Sequence, residues 1–242
     1  MRAAALRCVA AMDALWEGLK EAIRLIVTGD AALRDIAWRT VVVSGTATLF
    51  AMAVGVPAGY ALARGRFRGR TVILGIVNTG MGMPPVVIGL VVWLMLVRSG
   101  PFGGFELVYT KRAMVIAQFL IAVPLVVGFT AAAIQSLPRD LPDLLAILGA
   151  GPLRRLWLLA KEAQLGILAA VMAGFGGVVS EVGASMTVGG NLQGETRVLT
   201  TAIVTETSRG ENEKAMALGI VLLAMAFAVN IALTSVQQRR RG

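Results

Sequence analysis

Four stretches of this chain carry no charged residue and are long enough to cross a lipid bilayer: Thr40–Ala63, Thr71–Val97, Ala113–Pro138 and Ala215–Gln238. A hydrocarbon core about 30 Å thick is crossed by about 20 helical residues, each adding about 1.5 Å. A fifth uncharged run, Ala163–Ser180, is just long enough, and Glu181 alone separates it from an uncharged continuation to Gly194. Only 15% of the 242 residues are charged and 57% are hydrophobic, whereas soluble domains carry about 25% charge. The expected fold class is therefore an all-α integral membrane protein with five transmembrane helices.

Residues 13–29 read differently. Leu15, Leu19, Ile23 and Ile26 recur at helical spacing with Glu17, Lys20, Glu21 and Arg24 on another face. That much charge argues for an N-terminal amphipathic helix lying at the interface rather than a sixth span. Met1–Ala11 has an apolar stretch broken by Arg7 and does not read as a signal peptide. Residues 1–35 are expected as an extracytoplasmic N-terminal segment and 36–238 as the membrane domain.

The net charge of +9 is sorted by topology. Taking alternate loops as one side gathers Arg64, Arg66, Arg68, Arg70, Arg139, Arg154, Arg155, Lys161, Arg239, Arg240 and Arg241. These eleven basic residues face Asp140, Asp143 and Glu162, a net of +8, and everything else holds +1. The positive-inside rule makes that side cytoplasmic, with the N-terminus outside and the C-terminus inside. Nucleic acid is not implied, because the basic residues are scattered beside span ends without interleaved aromatics. The chain has no histidine and a single cysteine, Cys8, so a histidine triad, a usual zinc site and a disulfide framework are excluded; no metal site is expected. No lysine follows a glycine, so the Gly-x-x-x-x-Gly-Lys-Ser/Thr phosphate loop is absent.

The longest cytoplasmic connection, residues 137–162, has its own helical pattern. Pro142 and Pro152 stand where helices begin, and Leu141, Leu144, Leu145 and Leu148, then Leu153, Leu156, Trp157 and Leu159, mark apolar faces. Gly149-Ala150-Gly151-Pro152 forces a break between them. Two short amphipathic helices meeting at a glycine corner are expected, either docking a partner or tying spans three and four together.

This loop resembles the coupling loop of ABC-importer permeases. Asp143-Leu144-Leu145 followed by Gly149 stands where the family has Glu-Ala-Ala-x-x-x-Gly, and Lys161-Glu162 replaces its Leu-Pro close. A second block, Ser180-Glu181-Val182-Gly183-Ala184-Ser185-Met186-Thr187-Val188-Gly189-Gly190-Asn191-Leu192 and on through Thr196-Arg197-Val198-Leu199, resembles the oxyanion permeases for sulfate, molybdate and tungstate, with Val182 in place of phenylalanine. With Asn78-Thr79-x-Met81-Gly82-Met83-Pro84-Pro85, it is most similar to the tungstate branch.

The resemblance implies a non-catalytic permease, a homodimer that receives two cytoplasmic ATPase subunits and an extracytoplasmic oxyanion-binding protein in a bacterial inner membrane. It also implies that ATP belongs to the partner and that this chain binds no cofactor. The coupling residues so implied are Asp143, Leu144, Leu145, Leu148, Gly149, Ala150, Gly151 and Pro152. For the path or gate, the candidates are Glu181, Gly183, Ser185, Thr187, Gly189, Gly190 and Asn191.

Glu181 has two readings. An acid at membrane depth must face protein or water. Counting back by four, it shares a small-residue stripe with Gly177, Ala173 and Ala169, continued by Ser185. It is either a path residue or a structural carboxylate that caps a backbone break or pairs with Arg39 or Arg197. Gly55, Pro57 and Gly59, and Gly80, Gly82, Pro84 and Pro85, mark kinked or broken helices. An ion-gradient-driven transporter is the competing function, and a membrane enzyme lacks the clustered acids or histidines it needs.

Overall fold

The computed structural model describes residues 16–239 apart from 25, 66 and 139, so Leu15, Leu25, Cys8, Arg66, Arg139, Arg240 and Arg241 lie outside the described residues. What is described is helical, with one short 3-10 turn at Gly103–Phe105. The helices are α1 (Ala31–Arg64), α2 (Arg70–Met81), α3 (Pro85–Leu96), α4 (Lys111–Gln135), α5 (Leu141–Ile147), α6 (Pro152–Glu162), α7 (Gln164–Val179), α8 (Gly183–Gly189), α9 (Leu199–Ser208) and α10 (Asn212–Arg239).

The core is built around the α1–α4 pair. Val43 and Ala51 of α1 meet Ala117, Ala122 and Val126 of α4, all fully buried. Small side chains let two backbones approach closely, which is how helices associate where lipid offers no hydrophobic drive. Gly55 and Gly59 belong to that seam. A Cβ at Gly55 falls 2.8 Å from Val126 Cγ1, and one at Gly59 falls 2.8 Å from Thr130 Cβ. Of the kink or break expected at Gly55, Pro57 and Gly59, the break does not occur: α1 runs on unbroken through Pro57, and the two glycines serve contact.

The second expected break is real. α2 and α3 meet at 103° across Gly82-Met83-Pro84, and Pro85 opens α3 where its missing N–H is not needed. α2 rests on α4, with a Cβ at Gly80 falling 2.8 Å from Pro124 Cγ.

The fourth expected span is one continuous helix, α7, and a bend stands at its start. α6 and α7 meet at 79°, and α7 alone is 16 residues long. Among the described residues three helices, α1, α4 and α10 (to Ser235), are long and apolar enough to cross a membrane, or up to five spans if each bent pair is counted as one. α1 starts at Ala31, so the expected boundary at residue 35 falls inside a helix, and it includes Arg39, which the uncharged run left out.

Residues 16–24 are helical. Their small face docks: Ala22 is buried, and a Cβ on Gly18 collides with Met216 of α10. Trp16, Leu19, Ile23 and Ile26 are exposed, the apolar face that an interfacial helix presents to lipid.

Arg39 and Arg64 mark the two ends of the bundle. They are 25 positions apart on α1, which at 1.5 Å per residue separates them by about 37 Å. Arg64 Nη2 donates to Ile134 O (3.0 Å), capping the last turn of α4 just before the 141–162 segment. Arg39 reaches the backbone of residues 194–197 at the other end.

Candidate functional site

At the Arg64 end, α5 and α6 form the glycine corner that their sequence demands. Ala150 N donates to Leu145 O (2.9 Å) and Gly149 N to Ala146 O (3.0 Å), the bond pair of a Schellman motif. Gly149 adopts φ +78° with open space where a Cβ would stand, so backbone conformation alone requires glycine there. Gly151 then caps α6, and Pro152 occupies its first turn. Leu145 and Ala150 are half-buried, whereas Asp143, Leu144, Ile147, Leu148, Leu153 and Trp157 are exposed. Leu159 anchors the other face of α6 at 0% exposure. Lys161 Nζ sits 5.3 Å from the Trp157 ring, holding the indole on the outward side. The corner thus presents a row of large apolar side chains beyond the bundle, adjoining the basic residues Arg154, Arg155 and Lys161.

At the other end, Ser180-Glu181-Val182 interrupts the chain between α7 and α8. α7 stops at Val179, so Glu181 does not continue the stripe of Gly177, Ala173 and Ala169, and Ser185 belongs to a different helix. The carboxylate turns instead to the start of α8, where Oε1 accepts from Ala184 N (2.8 Å). Thr200 Oγ1 donates to Glu181 O (3.0 Å), tying the break to α9. Glu181 makes no ion pair among the described residues, and the expected counter-ions Arg39 and Arg197 are both engaged elsewhere. Of the two structural roles open to the acid, it fills the cap.

α8 is clamped between α3 and α4. A Cβ on Gly89 of α3 falls 2.6 Å from Ala184 Cα, one on Gly183 collides with Val86, and one on Gly189 falls 2.8 Å from Met114 Sδ. Ser185 is buried and accepts from Gln118 Nε2 (3.1 Å), while Thr187 Oγ1 donates back to Gly183 O within its own helix. Gly190, at φ +68°, and Asn191, at φ 52°, end α8 in the left-handed region.

The loop after α8 is held by side chains that the sequence did not single out as a group. Thr196 Oγ1 donates to Gly189 O (2.6 Å) and accepts from Leu192 N (2.9 Å). Arg39, 3% exposed, gives Nη1 to Arg197 O (2.7 Å) and Nη2 to Gly194 O (2.9 Å), and it pairs with Asp35. Thr40 Oγ1 accepts from Leu199 N (2.9 Å), so two adjacent residues of α1 secure both the loop and the start of α9. No sequence signal short of the structure links Arg39 to carbonyls more than 150 positions away.

Comparison with known proteins gives this geometry a context. Residues 55–242 match the family model described as the binding-protein-dependent transport system inner membrane component. The chain belongs to that permease family. It is 38% identical over 227 residues to the tungstate uptake system permease protein TupB of Peptoclostridium acidaminophilum, covering 94% of this chain and 100% of that one. To the tungstate uptake system permease protein TupB of Campylobacter jejuni it is 31% identical over 219 residues, 90% and 92% of the two chains. An inward-facing structure of the MetNI methionine ABC transporter superposes with a TM-score of 0.70 over 86% of this chain and 95% of that one, at 18% identity, and so shares the fold. The permease is thus a multi-pass inner-membrane component of a binding-protein-dependent transport system.

Proposed function

We propose that this permease passes a tetrahedral oxyanion, tungstate ahead of molybdate or sulfate, from an extracytoplasmic binding protein into the cytoplasm, driven by ATP hydrolysed on partner subunits. The observation that carries the substrate is the near-full-length likeness to a tungstate permease. The working unit is a homodimer bearing two ATPase subunits, and this chain itself binds no cofactor.

Asp143, Leu144, Leu145, Leu148, Gly149, Ala150, Gly151 and Pro152 form the ATPase-coupling corner. The exposed row of Leu144, Leu148 and Leu153 supports this, since such a face fits a partner's groove. The basic flank supports a cytoplasmic location for the corner, with the N-terminal segment and the 190–198 loop outside. Movement imposed on α5–α6 travels through the 79° joint at Ala163 into α7, about 24 Å of helix, and arrives at the Glu181 break. Glu181, Gly183, Ser185, Thr187, Gly189, Gly190 and Asn191 are the part of the chain that such a movement reconfigures, the gate end of the path. Burial of Ser185 and Gly189 assigns them to positioning, and the partly exposed Asn191 to the path surface.

The test is metal and sulfur analysis of proteoliposomes holding the permease, its ATPase and its binding protein, incubated with equal tungstate, molybdate and sulfate. Tungsten in the lumen in excess of the other two is expected. Accumulation of none of the three oxyanions overturns the substrate.

A further inference from the structure

We propose that Arg197 is an anion-receiving residue of this permease, its guanidinium fork taking two oxygens of a tetrahedral dianion beside the α8–α9 loop. The proposal rests on the oxyanion reading given above and adds a residue that the path candidates do not include.

Three observations converge. The first is the charge balance. Arg197 is partly buried, and among the described residues no carboxylate lies within ion-pair distance of it. A guanidinium carries five N–H donors in a plane matched to bidentate acceptors, and here only Nε is used, donating to Asn191 Oδ1 (3.2 Å). Neither Nη1 nor Nη2 has a protein acceptor among the described residues, and neither is sealed inside the chain, so four donors remain for a ligand.

The second is orientation. Thr205 Oγ1 spends its proton on Thr201 O (2.9 Å), so it can only accept from Asn191 Nδ2 (2.7 Å). That fixes which end of the Asn191 amide is which: the NH2 faces Thr205 and the oxygen faces Arg197. The guanidinium is therefore steered by a side chain that is itself locked, in a residue held at φ 52°.

The third is the anchoring of the backbone. Arg197 N donates to Leu192 O (3.0 Å), and Arg197 O accepts from the buried Arg39 (2.7 Å). A cation anchored at its backbone and at Nε, with no carboxylate beside it and its Nη groups open, is arranged for an incoming anion, because charge-assisted bonds to a dianion are stronger than the bonds to water that they replace. Lysine retains charge without the planar fork.

The acceptor chemistry, a tetrahedral oxyanion, also occurs in a phospholipid headgroup, and the experiment separates the two. In the complex of permease, ATPase and binding protein, the rate at which phenylglyoxal modifies Arg197 is followed by peptide mass spectrometry in detergent and in phosphatidylcholine vesicles, with tungstate-loaded or empty binding protein. Loaded binding protein is expected to slow modification at least about threefold in both settings. In parallel, vesicle uptake of tungstate is expected to fall about tenfold or more in Arg197→Gln and less in Arg197→Lys. A modification rate that falls on entering lipid but ignores tungstate assigns the fork to headgroups and overturns the proposal, as does Arg197→Gln uptake within about twofold of the parent protein. If the parent protein itself accumulates no tungstate, molybdate or sulfate, the oxyanion reading fails before the variants are compared, and the proposal falls with it.

Discussion

Arg39 and Asp35 form an ion pair, yet the arginine's other bonds matter more. Asp35 is 57% exposed, and a pair open to water on one side contributes little, a few tenths of a kcal/mol to about 1. Arg39 supplies donors to the carbonyls of Gly194 and Arg197; Gly194 is exposed and can turn to water, whereas leaving the partly buried Arg197 carbonyl unsatisfied, together with the loss of a buried side chain, costs about 1–3 kcal/mol. We expect Asp35→Asn to leave the thermal midpoint of the purified complex almost unchanged and Arg39→Met to lower it strongly. Equal midpoints for the two variants contradict the ranking.

Glu181 can be treated likewise. Glutamine keeps an oxygen for Ala184 N–H, whereas alanine loses the cap at a cost of about 1 kcal/mol. Glu181→Gln is expected to elute as the assembled complex on size exclusion with its transport rate altered, and Glu181→Ala to show reduced thermal stability. Loss of assembly in Glu181→Gln makes the carboxylate's charge structural.

The elements were legible in proportion to how strongly their residues speak alone. Uncharged runs announced α1, α4 and α10, and the Gly82-Met83-Pro84 sequence announced the 103° bend, because proline and glycine act on the local backbone. Gly149 announced the corner between α5 and α6 for the same reason. The break at Ser180–Val182 contains neither residue type. There α8 packs between α3 and α4, and Thr200 of α9 ties the break itself, contacts that only the tertiary structure supplies. Arg39 was hidden by the rule that found the spans, since a search for uncharged runs begins at Thr40 and cannot foresee a charge buried on distant carbonyls.

The corner gives the prediction proper to this scale. Gly149→Pro cannot adopt φ +78°, and Leu148→Asp places a charge in the exposed apolar row. Both variants are expected to insert and remain soluble in detergent, yet to lose co-purification with the ATPase. Retention of the ATPase by either variant removes the coupling role from this loop.

At the scale of the whole molecule, α1 ties two working ends together. Arg64 at one end fastens the turn before α5, and Arg39 about 37 Å away fastens the loop before α9. α7 starts at its joint with α6 and ends at the Ser180–Val182 break, so it connects the α5–α6 segment to the α8–α9 region; on the proposed function it is the route by which movement of the coupling corner reaches the gate. On the proposed function the energy for transport comes from the partner ATPase, the sequence itself having no Gly-x-x-x-x-Gly-Lys-Ser/Thr loop.

The most direct test is tungstate accumulation in proteoliposomes loaded with ATP and containing the permease with its binding protein, with and without the ATPase subunit. The account predicts accumulation only when ATPase and ATP are both present. Accumulation driven by an ion gradient in vesicles that contain no ATPase contradicts it.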